Sequence, residues 1–133
     1  MAKKAKGYAK LKKELDIVFS QYIRWTYADD YGRLECYTCG VVKHVKEMHN
    51  GHFQSRKHTS TRWHEQNCRP QCPKCNLFCE GEKWIYGNKL VAELGRDMVD
   101  DIVALSHKSV KYSKSDLQYL IEIYKQKVKD LCE

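Results

Sequence analysis

Two C-x-x-C pairs, Cys36-Tyr37-Thr38-Cys39 and Cys72-Pro73-Lys74-Cys75, constrain this chain more than any other feature. Two thiolates from one tight turn can take adjacent corners of a metal tetrahedron, and a second turn completes it, so these four cysteines are expected to hold a structural zinc. A closed site of that kind has no open coordination position and is read as a frame, with any chemistry placed elsewhere. The seven cysteines are an odd number and the lysine-rich start carries no signal-peptide pattern, so a reducing compartment, the cytoplasm, is expected. Cys68, Cys79 and Cys132 lack pair spacing and are expected to be small buried hydrophobes.

A chain of 133 residues has room for one compact core, and no apolar run approaches the roughly 18 residues that would span a bilayer. No membrane partner is expected. The net charge of +7, from 24 Lys and Arg against 17 Asp and Glu, is unevenly spread. Residues 1–13 hold six lysines and no acid, residues 43–69 hold six cations against Glu47 and Glu65, and residues 96–133 balance seven against seven. The excess surrounds the cysteine cluster, which points to a polyanion such as nucleic acid, because Lys and Arg bound at phosphates release counterions. A basic surface that serves only solubility is the blander alternative.

Leu11, Leu15, Val18, Phe19, Tyr22 and Trp25 recur at steps of three and four, which predicts an amphipathic helix over 10–27. Residues 28–34 read as a turn, and 35–71 as short strands and loops punctuated by Gly40, Asn50-Gly51 and Pro70. After Pro73 a helix is expected to run to about residue 83. Helical pieces follow over 83–94, ended by Gly95, then 97–106 and 115–131. The last carries a stripe of Leu117, Leu120, Ile121, Tyr124, Val128 and Leu131, with Ser113 or Ser115 as its N-cap.

The 32 residues between the cysteine pairs exceed the roughly 15 to 20 of a simple zinc ribbon, so something is inserted there. Five of the six histidines, His44, His49, His52, His58 and His64, lie in this insert with Arg56, Lys57, Arg62 and Arg69. Arg56 and Arg62 are candidate phosphate contacts, since a guanidinium offers a bidentate fork.

The order C-x-x-C, Gly51-His52-Phe53 with Ser55-Arg56, Thr61-Arg62-Trp63 with Asn67, then Gln71-Cys72-x-x-Cys75-Asn76 with Gly81 resembles the phage NinG (Rap) recombination proteins, zinc-framed relatives of the HNH, or ββα-metal, endonucleases. The resemblance runs from Glu35 to the C-terminus, through Trp84 to Leu94 and the closing Tyr124-x-Gln126-Lys127-x-x-x-Leu131. It implies an α+β fold; with the lysine-rich start read as a basic flexible N-terminus over 1–9, one domain is expected over 10–133. That domain would comprise the helix 10–27, a zinc-framed ββα-metal core over 35–86 and a helical extension over 87–133. It also implies site roles. His52, on a β-hairpin, would be the general base, Asn67 would fasten the hairpin loop, and Asn76 would hold a catalytic Mg²⁺ or Mn²⁺. Glu80, four residues on and so on the same helical face, is a further candidate ligand for that cation, with His49 and His64 behind it. Many HNH sites carry an acidic or histidine ligand just before the base; this chain has Gly51, which offers no side chain.

The activity implied is metal-dependent DNA cleavage, directed at branched recombination intermediates such as Holliday junctions and D-loops, in the cytoplasm of a bacterial host. Symmetric junction cutting needs two sites, so a homodimer is expected, joined through its N-terminal or C-terminal helix. The alternatives are a non-catalytic zinc module that binds nucleic acid, and an HNH nuclease acting on linear or site-specific DNA.

Overall fold

The computed structural model describes residues 5–132; the expected flexible N-terminus over 1–9 therefore lies partly outside the described residues. Helix α1 runs Tyr8–Thr26 and buries Leu11, Leu15, Val18, Phe19 and Ile23, while Tyr22 and Trp25 of the predicted stripe are half-buried. The C-terminal helix, α5 in the order below, runs Lys114–Cys132 and buries Leu117, Ile121 and Tyr124. These two stripes pack on each other, with the Phe19 and Tyr124 rings edge to face at 4.9 Å. Ser113 starts α5 with a reciprocal cap: its hydroxyl accepts from Asp116 N at 3.0 Å, and the Asp116 carboxylate accepts from Ser113 N at 2.9 Å. The apolar stripes of α1 and α5 are thus covered within one copy of the chain.

Between these helices the chain forms two antiparallel pairs. Strand β1 (Arg33–Glu35) pairs with β2 (Val42–His44), and β3 (His49–His52) pairs with β4 (Cys68–Gln71) in the register His49↔Gln71 to His52↔Cys68. The turn joining β1 to β2 is the first cysteine pair. Gly40 closes it at φ +79°, a backbone region that favours glycine, and donates to Cys36 O at 2.9 Å. Pro70 has no N–H to give its own ladder, but its carbonyl accepts from Tyr37 N at 2.9 Å and ties the second pair to that turn. The fold is thus α+β, with a four-cysteine cluster at the meeting of its two small sheets.

Helix α2 (Thr59–Arg62) sits in the long β3–β4 connection. Beyond the second cysteine pair the structure departs from expectation. The helix predicted to reach residue 83 is a single π-helical turn, Lys74–Phe78. Glu80, Gly81 and Glu82 then all take positive φ, at 52°, 82° and 50°, and redirect the chain into α3 (Lys83–Leu94). The reason is local: Gly81 N turns back to donate to Cys75 O at 2.8 Å, which no continuing helix allows. Gly95 separates α3 from α4 (Arg96–Ser106). Tyr86, Leu90 and Val99 of this pair form a separate core against Tyr37 and Phe53. Among the described residues no helix is long and apolar enough to cross a membrane.

Gly51 has a steric role in this arrangement. A Cβ there would lie 2.1 Å from Gln71 Oε1 and 2.7 Å from Gln71 Cγ. Gln71 is fully buried and held by its amide, which donates to Gly81 O at 2.8 Å and Thr38 Oγ1 at 3.1 Å, so it has nowhere to retreat. Gly51→Ala is expected to destabilise the protein by about 1–3 kcal/mol, the usual cost of overpacking, as read by urea denaturation.

Candidate metal centre and adjoining cleft

Cys36, Cys39, Cys72 and Cys75 bring their sulfurs within 4.8 Å of one another, with Cys39 Sγ and Cys72 Sγ 3.7 Å apart. A tetrahedral ion with Zn–S bonds of about 2.3 Å sets its sulfurs about 3.8 Å apart, so the four can hold a metal ion such as zinc. Burial would raise the Cys36 thiol, but hydrogen bonds from Cys72 N, the Thr38 hydroxyl and the turn's own N–H groups outweigh it and bring Cys36 down to about 6. Burial pushes Cys75 up to about 12. The Cys36 thiolate is thus prepared, whereas Cys75 would ionise only with a cation beside it. Gln71 braces the group through Thr38, whose Oγ1 lies 3.5 Å from Cys36 Sγ. Of the remaining cysteines, Cys68 is buried as expected; Cys79, in the turn after the π-helical segment, is half-buried and Cys132, at the end of α5, is exposed, contrary to expectation.

His52 ends β3. Its Nε2 lies 2.9 Å from the Arg62 carbonyl oxygen, which can only accept, so Nε2 carries the proton and the lone pair of the neutral ring is on Nδ1. Burial holds this imidazole below the ordinary histidine range; Lys83 and Arg56 add to the shift, and the Arg62 carbonyl and Asp16 oppose it. The loop that carries Arg62 is fixed by Asn67, which is fully buried. Its Oδ1 accepts from Gln54 N at 2.7 Å, and its Nδ2 donates to Gln54 O and Thr61 O, each at 3.0 Å.

The same segment is clamped from α1. Asp16 accepts from Arg62 Nε and Trp63 Nε1, each at 3.0 Å, and also pairs with Arg62 Nη2. Arg62 is therefore committed to Asp16 and is not a free phosphate contact, as the sequence had suggested. Asp16 itself escaped the sequence reading. It is one acid on an amphipathic helix, and nothing in its spacing announces a partner 46 residues away.

His52 lines an open cleft of about 690 Å³ whose wall also includes His49, Arg56, Asn76, Glu80 and Lys83. Asn76 N donates to Cys72 O at 3.0 Å, so the cysteine turn fixes where this residue stands. Its Nδ2 donates to His49 Nδ1 at 3.1 Å, which leaves Oδ1, a hard oxygen ligand, uncommitted. Glu80 does not share a helical face with Asn76, because the π turn ends at Phe78; it reaches the cleft from the left-handed turn. Lys83, partly desolvated with its pKa lowered by burial, donates Nζ to His52 O.

The other insert histidines lie elsewhere. His44 caps a short turn through Lys46 N, His58 faces His107, and His64 is a half-buried ring outside the cleft. Arg69 is buried, paired with Glu93 between the Tyr27 and Tyr37 rings.

Residues 1–133 match a family model described as the bacteriophage lambda NinG protein. No curated protein and no solved structure matches the chain.

Because metal binding at four thiols is also folding free energy, Cys72→Ser is expected to lose bound metal and lower the melting temperature together. Metal content by atomic absorption and a thermal scan check this; a metal-free variant with an unchanged transition would contradict it.

Proposed function

We propose, for a chain that belongs to the NinG family, that the cleft beside the four cysteines hydrolyses DNA phosphodiesters, with His52 as general base. The β3–β4 hairpin and the π turn that follows it are read as a reduced HNH-like, ββα-metal core. The observation that carries the reading is the hydrogen bond from His52 Nε2 to Arg62 O at 2.9 Å, in a ring that burial keeps neutral. That bond leaves Nδ1 as the one basic atom of a histidine lining an open, cation-rich cleft.

In this mechanism His52 Nδ1 takes a proton from water as the water oxygen bonds to phosphorus and the bond to the leaving oxygen breaks. Asn76 Oδ1, with Glu80 or His49 nearby, would hold a Mg²⁺ or Mn²⁺ ion, which when bound stabilises charge on the phosphate and the leaving oxygen. Arg56 and Lys83 line the cleft as the cations that meet the substrate phosphate, while Arg62 acts only through its carbonyl. Branched recombination intermediates are the proposed substrates, and a homodimer supplies the second cut. Its interface must use a surface other than the α1 and α5 stripes, which are already covered.

One observation favours a second reading, a non-catalytic nucleic-acid-binding module. Among the described residues the four cysteines are the sole cluster of three or more Cys, His or acidic ligands, and Gly51 adds none. Cleavage assays decide between the two. With four-way-junction DNA and Mg²⁺ or Mn²⁺, the parent is expected to cut, and His52→Ala to bind the junction while cutting about 10²–10⁴-fold more slowly. Equal cutting by both rejects His52 as base, and no cutting by the parent favours the binding module.

The pH profile follows from the direction of the His52 shift. The working form is neutral, and burial lowers the pKa, so the rate is expected to be flat through neutrality. It falls only once pH drops below the ordinary histidine value of about 6.5. A half-maximal point above that value, in single-turnover kinetics at saturating metal, would contradict it.

A further inference from the structure

We infer that the DNA strand leaving the cleft follows a track along the N-terminal half of α1, where Lys12, Lys13 and Arg56 hold its phosphates. The inference rests on the cleft being a DNA site and adds the path by which the nucleic acid leaves it. Asp16 and Arg56 line both the cleft and a second open groove of about 540 Å³, so the two adjoin. The second groove runs past Lys12 and Lys13 over Tyr8 and Ile17, which are 38% and 54% exposed.

Charge sorts sharply around this helix. On the side facing α5, Lys6 and Lys125 both pair with Glu14, and further along α5 Lys127 pairs with Glu65. In the groove, Arg62 is neutralised by Asp16. Lys12, Lys13 and Arg56 have no acidic partner among the described residues; Lys12 Nζ sits over the Tyr8 ring at 5.4 Å, a contact that leaves its charge uncancelled. A row of free cations beside an exposed aromatic and an aliphatic floor suits a sugar-phosphate chain, whose charge is regular and whose sugars and bases present apolar faces. An acidic protein segment offers the charge without that regular spacing.

The test measures DNA binding by the full chain without added divalent cation, so that cutting does not intervene. Anisotropy of a labelled junction is followed across a salt series for the parent, for Lys12→Gln/Lys13→Gln, and for Lys125→Gln/Lys127→Gln, which removes the same charge from the paired face. The first variant is expected to bind more weakly and to reduce the slope of log K against log salt by about 1.8, the value for two lost phosphate contacts. The second is expected to change the slope by less than half as much. Equal changes in the two variants would overturn the track in favour of a diffuse field, as would an unchanged slope in the first. Poly-glutamate bound as tightly as DNA, with the same loss in the first variant, would overturn the nucleic-acid assignment. A parent that shows the expected slopes yet cuts no junction with Mg²⁺ rejects the nuclease and leaves the track standing; the converse result rejects the track alone.

Discussion

Four thiols within 4.8 Å of one another cannot all ionise inside a protein unless a cation lies among them. That condition organises the centre of this chain. The sheets are two-stranded and short, too small to hold their shape by pairing alone, and the apolar core around the cysteines is limited to Leu34, Val45 and Met48 with help from Trp25 and Ala28. A metal such as zinc would join the β1–β2 turn to the end of β4 and make one rigid body from two weak hairpins. Gln71 extends that body into the cleft region, since it bonds both Thr38 beside Cys36 and Gly81 in the turn before α3.

Each residue of the cleft is positioned from a different direction against this frame. Asn76 follows the last cysteine and inherits its place from the Cys72 carbonyl. His52 is held at the end of β3, and its tautomer is set by a carbonyl on the far side of the hairpin loop. The segment carrying that carbonyl is held in turn by Asn67 and, from α1, by Asp16, which pairs with Arg62 and accepts from Trp63 Nε1. The bundle is itself anchored, because the α1 stripe packs on α5 through Leu11, Leu15, Val18 and Phe19 and on the cysteine core through Trp25.

Features that depend on local chemistry were legible in the sequence. The cysteine spacing marks the four thiols that can hold a metal ion, the three-and-four periodicity marks α1 and α5, and Ser113 carries the cap of α5. Features that depend on tertiary partners were not. Arg62 looked like a phosphate ligand because a guanidinium's partner cannot be read from its own segment, and the partner proved to be Asp16. The helix after Pro73 stopped early because of a backbone bond from Gly81 to Cys75, which leaves no periodic trace. Gly51 looked like a missing ligand; the structure gives it a positive reason, the fully buried Gln71 side chain that fills the space beside it.

The state of the His52 ring can be read directly, apart from any substrate or metal. Long-range proton–nitrogen NMR correlations on the labelled, full-length protein report which ring nitrogen carries the proton and at what pH the second proton arrives. The Nε2–H neutral form is expected at about pH 7, persisting below the ordinary histidine value of about 6.5. An Nδ1–H tautomer, or a ring already charged at neutral pH, would contradict a base prepared by the Arg62 carbonyl.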